Sequence, residues 1–213
     1  MLQVLQKNIQ NTQLTFTNQR AIFWEAEKTL ILSDLHVGKS AHFRKHGIPV
    51  SSEILTDDLK NLESLIHHFR PEKVMIVGDL FHAGYNSDLE LFKDWRLQFN
   101  QNFTLIRGNH DKLKCEIYEN LGIDCEDDFV ENIPFTFIHH PKKIEENKFY
   151  ISGHIHPGFV LRTRNESLKL PCFGVSSHQI VLPAFSKFTG LDTKSLQGNF
   201  SNIVFTEGTI FEV

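Results

Sequence analysis

The chain has 213 residues, 40% hydrophobic and 23% charged, with a formal net charge of −4. This is enough chain for one core of ordinary size and close to the composition of soluble globular proteins. The acidic balance excludes a surface that is basic throughout, so any nucleic-acid contact must come from a local patch or be brief. Three cysteines, Cys115, Cys125 and Cys172, lack CxxC spacing, which argues against a disulfide framework or a cysteine zinc site. Reduced thiols, an N-terminus without a signal-type apolar core and no bilayer-length apolar run give the expectation of a cytoplasmic protein without membrane spans. Phenylalanine is abundant, at 19, so aromatic packing should dominate the core. Histidine is the outlier at 12, several of them beside Asp, Asn or Gly. Imidazole is the commonest metal ligand and a frequent acid or base.

In chain order, Gln13 to Thr17 and Arg20 to Trp24 read as a hairpin, and Thr29 to Ser33 as a buried strand ending at Asp34. Leu55, Leu59, Leu62 and Ile66 predict a helix over 51–69, with Ser51 or Ser52 as cap and Pro71 as stop. Lys73 to Val77 predicts a strand ending at Gly78-Asp79. Asp88 to Asn100 predicts a helix with Leu89, Phe92, Trp95 and Phe99 on one face. Phe103 to Ile106 predicts a strand ending at Arg107-Gly108-Asn109-His110. Strands alternating with helices imply parallel pairing, and polar residues just past the carboxyl ends of such strands mark a ligand edge. A helix signal spans Lys112 to Leu121. Downstream, Pro134 to His139, Phe149 to Gly153, Phe159 to Thr163, Ser167 to Leu170, Gln179 to Leu182, Ile203 to Thr206 and Ile210 to Val213 read as short strands of a second, more antiparallel sheet. No boundary stands out, so residues 1–213 are expected to form one domain.

Five clusters carry the chemistry: Asp34-Leu35-His36, Gly78-Asp79, Gly108-Asn109-His110-Asp111, His139, and Gly153-His154-Ile155-His156. In extended backbone, residues two apart point to one side, so Asp34 and His36 can share a metal and His154 and His156 can repeat that geometry. Asp79 has two oxygens with which to bridge two ions. Asn109 and His110, being adjacent, should face different ways. Taken singly, each cluster has an ordinary reading as a turn, a cap or a hydrogen-bonded surface histidine. All five following apolar strands in one order do not. A mixed oxygen and nitrogen donor set suits Mn²⁺, Fe or Zn²⁺ better than Ca²⁺ or Mg²⁺. Two such ions about 4 Å apart can clamp a phosphoryl group and activate a shared water.

The pattern DxH, GD, GNHD, H, GHxH resembles the calcineurin-like metallophosphoesterase superfamily, with no member missing between residues 34 and 156. The resemblance implies an α/β fold: a two-sheet β-sandwich flanked by helices, layered α/β/β/α. It also implies two divalent metal ions, Mn²⁺ foremost. Asp34, His36, Asp79 and His156 would hold one, and Asp79, Asn109, His139 and His154 the other. His110 would be the catalytic histidine. At His139-His140-Pro141 the ligand is taken as the first histidine. The segments SDLHVGKSAHFRKHGIPV, GDLFHA, GHIHPG, LPCFG and LPAFSKFTG resemble a narrower group, the bacterial DNA-ligase-associated metallophosphoesterases of the DNA damage response. That group implies a DNA endonuclease with a DNA ligase, a helicase and an exonuclease as partners.

Lys39 to His46 sets Lys39, His42, Arg44, Lys45 and His46 around Phe43, where basic groups can hold flanking phosphates and the aromatic can stack a base; a solvated loop is the plain alternative. Arg44 and His82 are the candidate substrate-side residues. Phosphodiester hydrolysis on DNA is the leading expectation. A small-molecule phosphatase or cyclic-nucleotide phosphodiesterase is the alternative, slightly favoured by the charge of −4. A non-catalytic metal-bound scaffold is a third reading, opposed by the retention of His110.

Overall fold

A computed structural model describes residues 1–82, 84–140, 147–162, 164, 166–196 and 199–213. The first sheet opens with β1 (Val4–Ile9), β2 (Thr12–Thr17), β3 (Ile22–Trp24) and β4 (Thr29–Leu32), each antiparallel to the last. Gln10 and Asn11 both take positive φ, the two-residue geometry that matches strand twist and closes the β1–β2 hairpin. β2 and β3 are the expected hairpin. β1 escaped prediction because it is an edge strand with only Ile9 buried, which leaves a weak alternating signal.

From β4 the chain changes regime. It passes through α1 (Lys39–Lys45) and α2 (Glu53–Phe69) to β5 (Lys73–Ile76). α3 (Ser87–Arg96) then leads to β6 (Asn102–Ile106), and α4 (Cys115–Asn120) to β7 (Ile123–Glu126). β4, β5, β6 and β7 pair in parallel, as crossover helices require. α2 buries Leu55, Leu59, Leu62, Leu65 and Ile66. Its cap comes from Ser51, whose Oγ accepts the Glu53 N–H at 3.1 Å. Arg70, at φ 49°, turns the chain out of the helix just before Pro71. α3 starts at an Asn86 cap, Oδ1 accepting from Asp88 N at 3.0 Å, and stops four residues short of the expected Asn100. α4 is likewise shorter than the 112–121 signal. The segment for which a solvated loop was the plain alternative is helical, as α1.

The second sheet comprises β8 (Phe129–Asn132), β9 (Phe135–Ile138), β10 (Phe149–Ser152), β11 (Gly158–Arg162), β12 (Ser167–Val175), β13 (Gln179–Val181), β14 (Ser201–Phe205) and β15 (Ile210–Glu212). Its order is β15-β14-β12-β13-β10-β9-β8, with β11 paired to β12. β9, β10 and β13 run parallel and the remaining pairs antiparallel. β12 absorbs the LPCFG motif into one long strand. Thr163, expected to end β11, lies outside the described residues.

Two sheets flanked by helices thus form the fold. Leu14, Phe16, Trp24, Ile31 and Met75 of the first sheet face Phe135, Phe137, Ile151, Phe173 and Phe205 of the second. Rings meet edge to face, Phe16 on Phe173 at 5.2 Å and Trp24 on Phe135 at 5.1 Å. The first sheet's other face packs α2, α3 and α4 through Leu59, Leu62, Phe92, Trp95 and Tyr118. Among the described residues no helix is long and apolar enough to cross a membrane.

Candidate metal centre

All five predicted clusters fall just past strand ends, three on the first sheet and two on the second. β4 leads to Asp34, β5 to Asp79 and β6 to Asn109, while β9 leads to His139 and β10 to His154. The strands concerned are parallel within each sheet, so their carboxyl ends share an edge.

The local backbone is not the extended one that the spacing suggested. Asp34, His36, Asp79, His154 and His156 have φ of 56°, 52°, 50°, 67° and 55°. Five of the ten non-glycine residues with positive φ among the described residues therefore lie in this one place. Left-handed backbone costs a non-glycine residue about 1–3 kcal/mol, and it clusters where surrounding structure enforces a functional geometry. Asp34 and His36 still converge: Asp34 Oδ1 is 3.9 Å from His36 Nε2 and 3.1 Å from His156 Nε2. His154 and His156 diverge, against the shared side that the spacing suggested but in keeping with their expected assignment to different ions. The His156 Nε2 lies 3.4 Å from that of His36, whereas the His154 ring packs at 5.1 Å from His139 and 3.8 Å from His140.

A second group forms around Asp79. Its Oδ2 is 3.5 Å from His139 Nε2, which is 3.3 Å from Asn109 Oδ1. The His139 Nδ1–H donates to the Val77 carbonyl at 3.0 Å, which fixes the ring and turns Nε2 toward the group. Ligand-type atoms of Asp34, His36 and His156 lie within 4.8 Å of one another, as do those of Asp34, Asp79 and His139, and of His139, His140 and His154. Shared members chain these trios into one elongated site. His140, passed over in favour of His139, thus stands beside the site as well. Pro141 lies outside the described residues.

The donors fit divalent cations. Asp34 is fully buried, and its Oδ1 faces the His156 and His36 Nε2 atoms at 3.1 and 3.9 Å, a carboxylate and two imidazoles gathered as ligands gather around a cation. Burial drives the His36 pKa down to about 3 despite Asp34, so the imidazole is neutral and its lone pair free at pH 7. Burial opposes ionisation of Asp79, but the His139 hydrogen bond and charge outweigh it and hold the carboxyl at about 2. Asp34 follows the same logic: burial is outweighed by His156, His139 and His36, and its pKa is lowered.

Asn109 and His110 do face different ways. The His110 N–H donates to Asp79 Oδ1 at 2.9 Å. Its ring stacks on His82 at 4.5 Å and meets His36 edge-on at 5.7 Å. His82 therefore packs beside the clustered histidines. Burial, then His110 and Lys39, push its pKa down to about 4. Arg44 is placed differently. Its Nη2 lies 3.2 Å from Asp88 Oδ1, and its Nη1 donates to the Ser51 carbonyl at 3.3 Å. The guanidinium is engaged in docking α1 onto α3.

Two glycines show why the motifs read as they do. A Cβ on Gly108 would sit 2.1 Å from Asp79 Oδ1, and one on Gly78 would sit 1.9 Å from His139 Nδ1. Each of these glycines makes room for a ligand from another motif. The supporting carboxylates were less legible. Asp111 Oδ1 accepts from Phe81 N at 2.8 Å and Oδ2 from Gly108 N at 2.9 Å, clamping two strand-end loops together. Asp88 Oδ2 accepts from Ser40 Oγ and Ala41 N, holding the start of α1. Ser33 Oγ and His154 N both donate to Asp34 Oδ2, at 2.6 and 3.1 Å. The only signal for Asp111 was its place in the GNHD cluster; Asp88 and Ser33 carried none.

The tail motif LPAFSKFTG also acquires a physical meaning. Phe185 N donates to Ser33 O at 2.8 Å and Ser186 N to Asp34 O at 3.2 Å, so the tail extends the backbone pairing of the first cluster. Phe185 is fully buried in the core. Beneath it Asp58, 2% exposed, accepts from Lys187 N at 3.3 Å. Burial, only partly offset by Ser186 and Lys187, pushes Asp58 up to about 6. A folded pKa above the unfolded 3.8 means the native state binds more protons, so this group's contribution falls as pH rises from about 4 to about 6. Asp58→Asn removes that titration. Urea melts should show wild-type stability relative to the variant dropping by about 3 kcal/mol between pH 3.5 and 7.

Fold and site together define a metal-binding hydrolase of phosphoester bonds. The calcineurin-like phosphoesterase family model matches residues 27–171, and the chain belongs to that family. Among solved structures the chain is similar to the Pseudomonas putida nuclease MPE, with a TM-score of 0.83 at 28% identity over 99% of this chain and 100% of that one. A looser match, to the Aquifex aeolicus protein AQ665, has a TM-score of 0.44 at 19% identity over 60% of this chain and 78% of that one. No curated protein matched.

Proposed function

We propose that the chain is a binuclear, Mn²⁺-preferring phosphodiesterase that cleaves DNA, with residues 1–213 acting as one unit. The observation that carries this reading is the convergence of Asp34, His36, Asp79, His139, His154 and His156 onto one edge shared by two sheets, with Asn109 Oδ1 3.3 Å from His139 Nε2. Asp34, His36, Asp79 and His156 would hold one ion, and Asp79, Asn109, His139 and His154 the other. When bound, the pair supplies Lewis-acid charge and an activated water. The residues do the rest. Asp79 presents Oδ2 to the His139 side and anchors His110 through Oδ1. His110 sits where it can steady the phosphoryl oxygens and protonate the departing ester oxygen as the P–O bond breaks. His82, neutral at pH 7, backs the His110 ring without adding charge.

The nuclease assignment is supported by likeness to MPE over nearly the whole of both chains. Small phosphomonoesters or cyclic nucleotides are the alternative, favoured by the net charge of −4. Purified protein with Mn²⁺ is expected to hydrolyse bis(p-nitrophenyl) phosphate. Inactivity of the folded, Mn²⁺-loaded protein would point to a scaffold. Circular single-stranded DNA, duplex DNA and cyclic nucleotides compared in one assay then decide substrate class: no nicking of any DNA sinks the nuclease reading.

A further inference from the structure

We propose that the cleft lined by Lys39, Phe43, Lys187 and Phe188 is a subsite for a nucleotide flanking the scissile phosphate, taking its unpaired base against the aromatic pair and its phosphate on the lysines. The proposal rests on the nuclease reading and adds a second contact region outside the metal ligands. The cleft has a volume of about 380 Å³, with Thr189 and Gly190 completing its wall. It is built by two segments some 145 positions apart in sequence, α1 and the tail that pairs with Ser33 and Asp34.

The Phe43 and Phe188 rings meet edge to face at 5.6 Å, and Lys39 Nζ lies 5.8 Å from the Phe188 ring centre. Both rings are only partly buried, although 19 phenylalanines populate this chain and most of the large fully buried side chains are Phe. Flat π faces flanked by ammonium groups suit an unstacked base with its phosphate, and do so without reading sequence. The cleft adjoins the metal centre. Lys39 N donates to His36 O at 3.1 Å, and its half-buried ammonium lies within the field of Asp34 and Asp79.

The platform is held in place before any substrate arrives. Asp88 grips the start of α1 through Ser40 and Ala41, and Asp58 accepts the Lys187 N–H. Lys187 Nζ is 3.5 Å from Glu207, but both side chains are largely exposed, so water and salt weaken that pair and a phosphate can compete for the cation. In a chain of net charge −4, attraction for a phosphate strand has to be local.

The test compares kcat/KM on a single-stranded oligonucleotide with that on bis(p-nitrophenyl) phosphate, which carries neither a nucleobase nor a flanking phosphate. For Phe188→Leu, which keeps bulk but removes the π face, the ratio of the two should fall roughly fivefold to a hundredfold, the range for one lost base stack. Phe188→Trp should restore it. Lys187→Ala, a surface change with little folding risk, should lower the same ratio and make the log–log salt slope shallower by about 0.7. A wild type that cleaves the oligonucleotide while both Phe188→Leu and Lys187→Ala keep the wild-type ratio overturns the subsite alone. A wild type active on the aryl diester but on no DNA overturns the nuclease reading, and the subsite with it.

Discussion

Asp79→Asn is expected to reduce phosphodiester hydrolysis by a thousandfold or more, on the order of what loss of a metal-held reaction path removes. The residue does two jobs at once. Oδ1 anchors the His110 backbone, and Oδ2 faces His139. Asparagine keeps the first, since its carbonyl can still accept the His110 N–H. It loses the charge that two proposed ions would share. Metal content should fall below two equivalents, and the rise in melting temperature on adding Mn²⁺ should shrink, because ligand stabilisation scales with occupancy. The metal-free variant should also lose up to about 2 kcal/mol at neutral pH, since a carboxyl held at about 2 contributes stability above its unfolded pKa. A variant that retained two ions and wild-type turnover would remove Asp79 from the centre.

His110→Ala should behave in the opposite way toward metal. Its side chain stacks on His82 and meets His36 edge-on, and it belongs to none of the three ligand trios. Both ions should therefore stay, with turnover falling by roughly a hundredfold to ten-thousandfold, the span for losing a positioned acid or base. The loss should be smaller on an ester whose leaving group needs no proton, such as p-nitrophenolate. Ions lost together with His110 would make it a ligand instead. Equal losses on good and poor leaving groups would remove the proton-donor role.

Much of the site could be read from the sequence because its residues sit in short motifs after apolar strands. TLIL, KVMI and FTLI each stop where the chemistry starts, and the order of the motifs carried the family resemblance. The reason first attached to the spacing was nevertheless wrong. Asp34 and His36 lie in left-handed backbone, a conformation that no apolar periodicity encodes for Asp or His. His154 and His156 point to different trios for the same reason. The supporting carboxylates were hidden because their partners are distant. Asp58 meets residue 187 and Asp88 meets residues 40 and 44, separations that a local reading does not cross. Arg44 looked available for substrate because its Asp88 partner lies on another helix. β1, β7 and β8 were missed because each is short or mostly exposed at a sheet end.

The glycines beside the ligands have a consequence for how this protein tolerates change. Gly78 leaves room for the His139 ring and Gly108 for the Asp79 carboxylate, so the motifs interlock as key and keyway across separate strands and, for Gly78, across the two sheets. Alanine at position 78 drives a methyl group into an imidazole, and alanine at position 139 empties the space that the glycine served. The two changes together should cost less than the sum of each alone, because the second removes the collision that the first creates. Sequence drift at this centre is therefore epistatic: losing a ligand lowers the cost of altering the glycine that made room for it, while at position 78 the φ of 85° keeps favouring glycine.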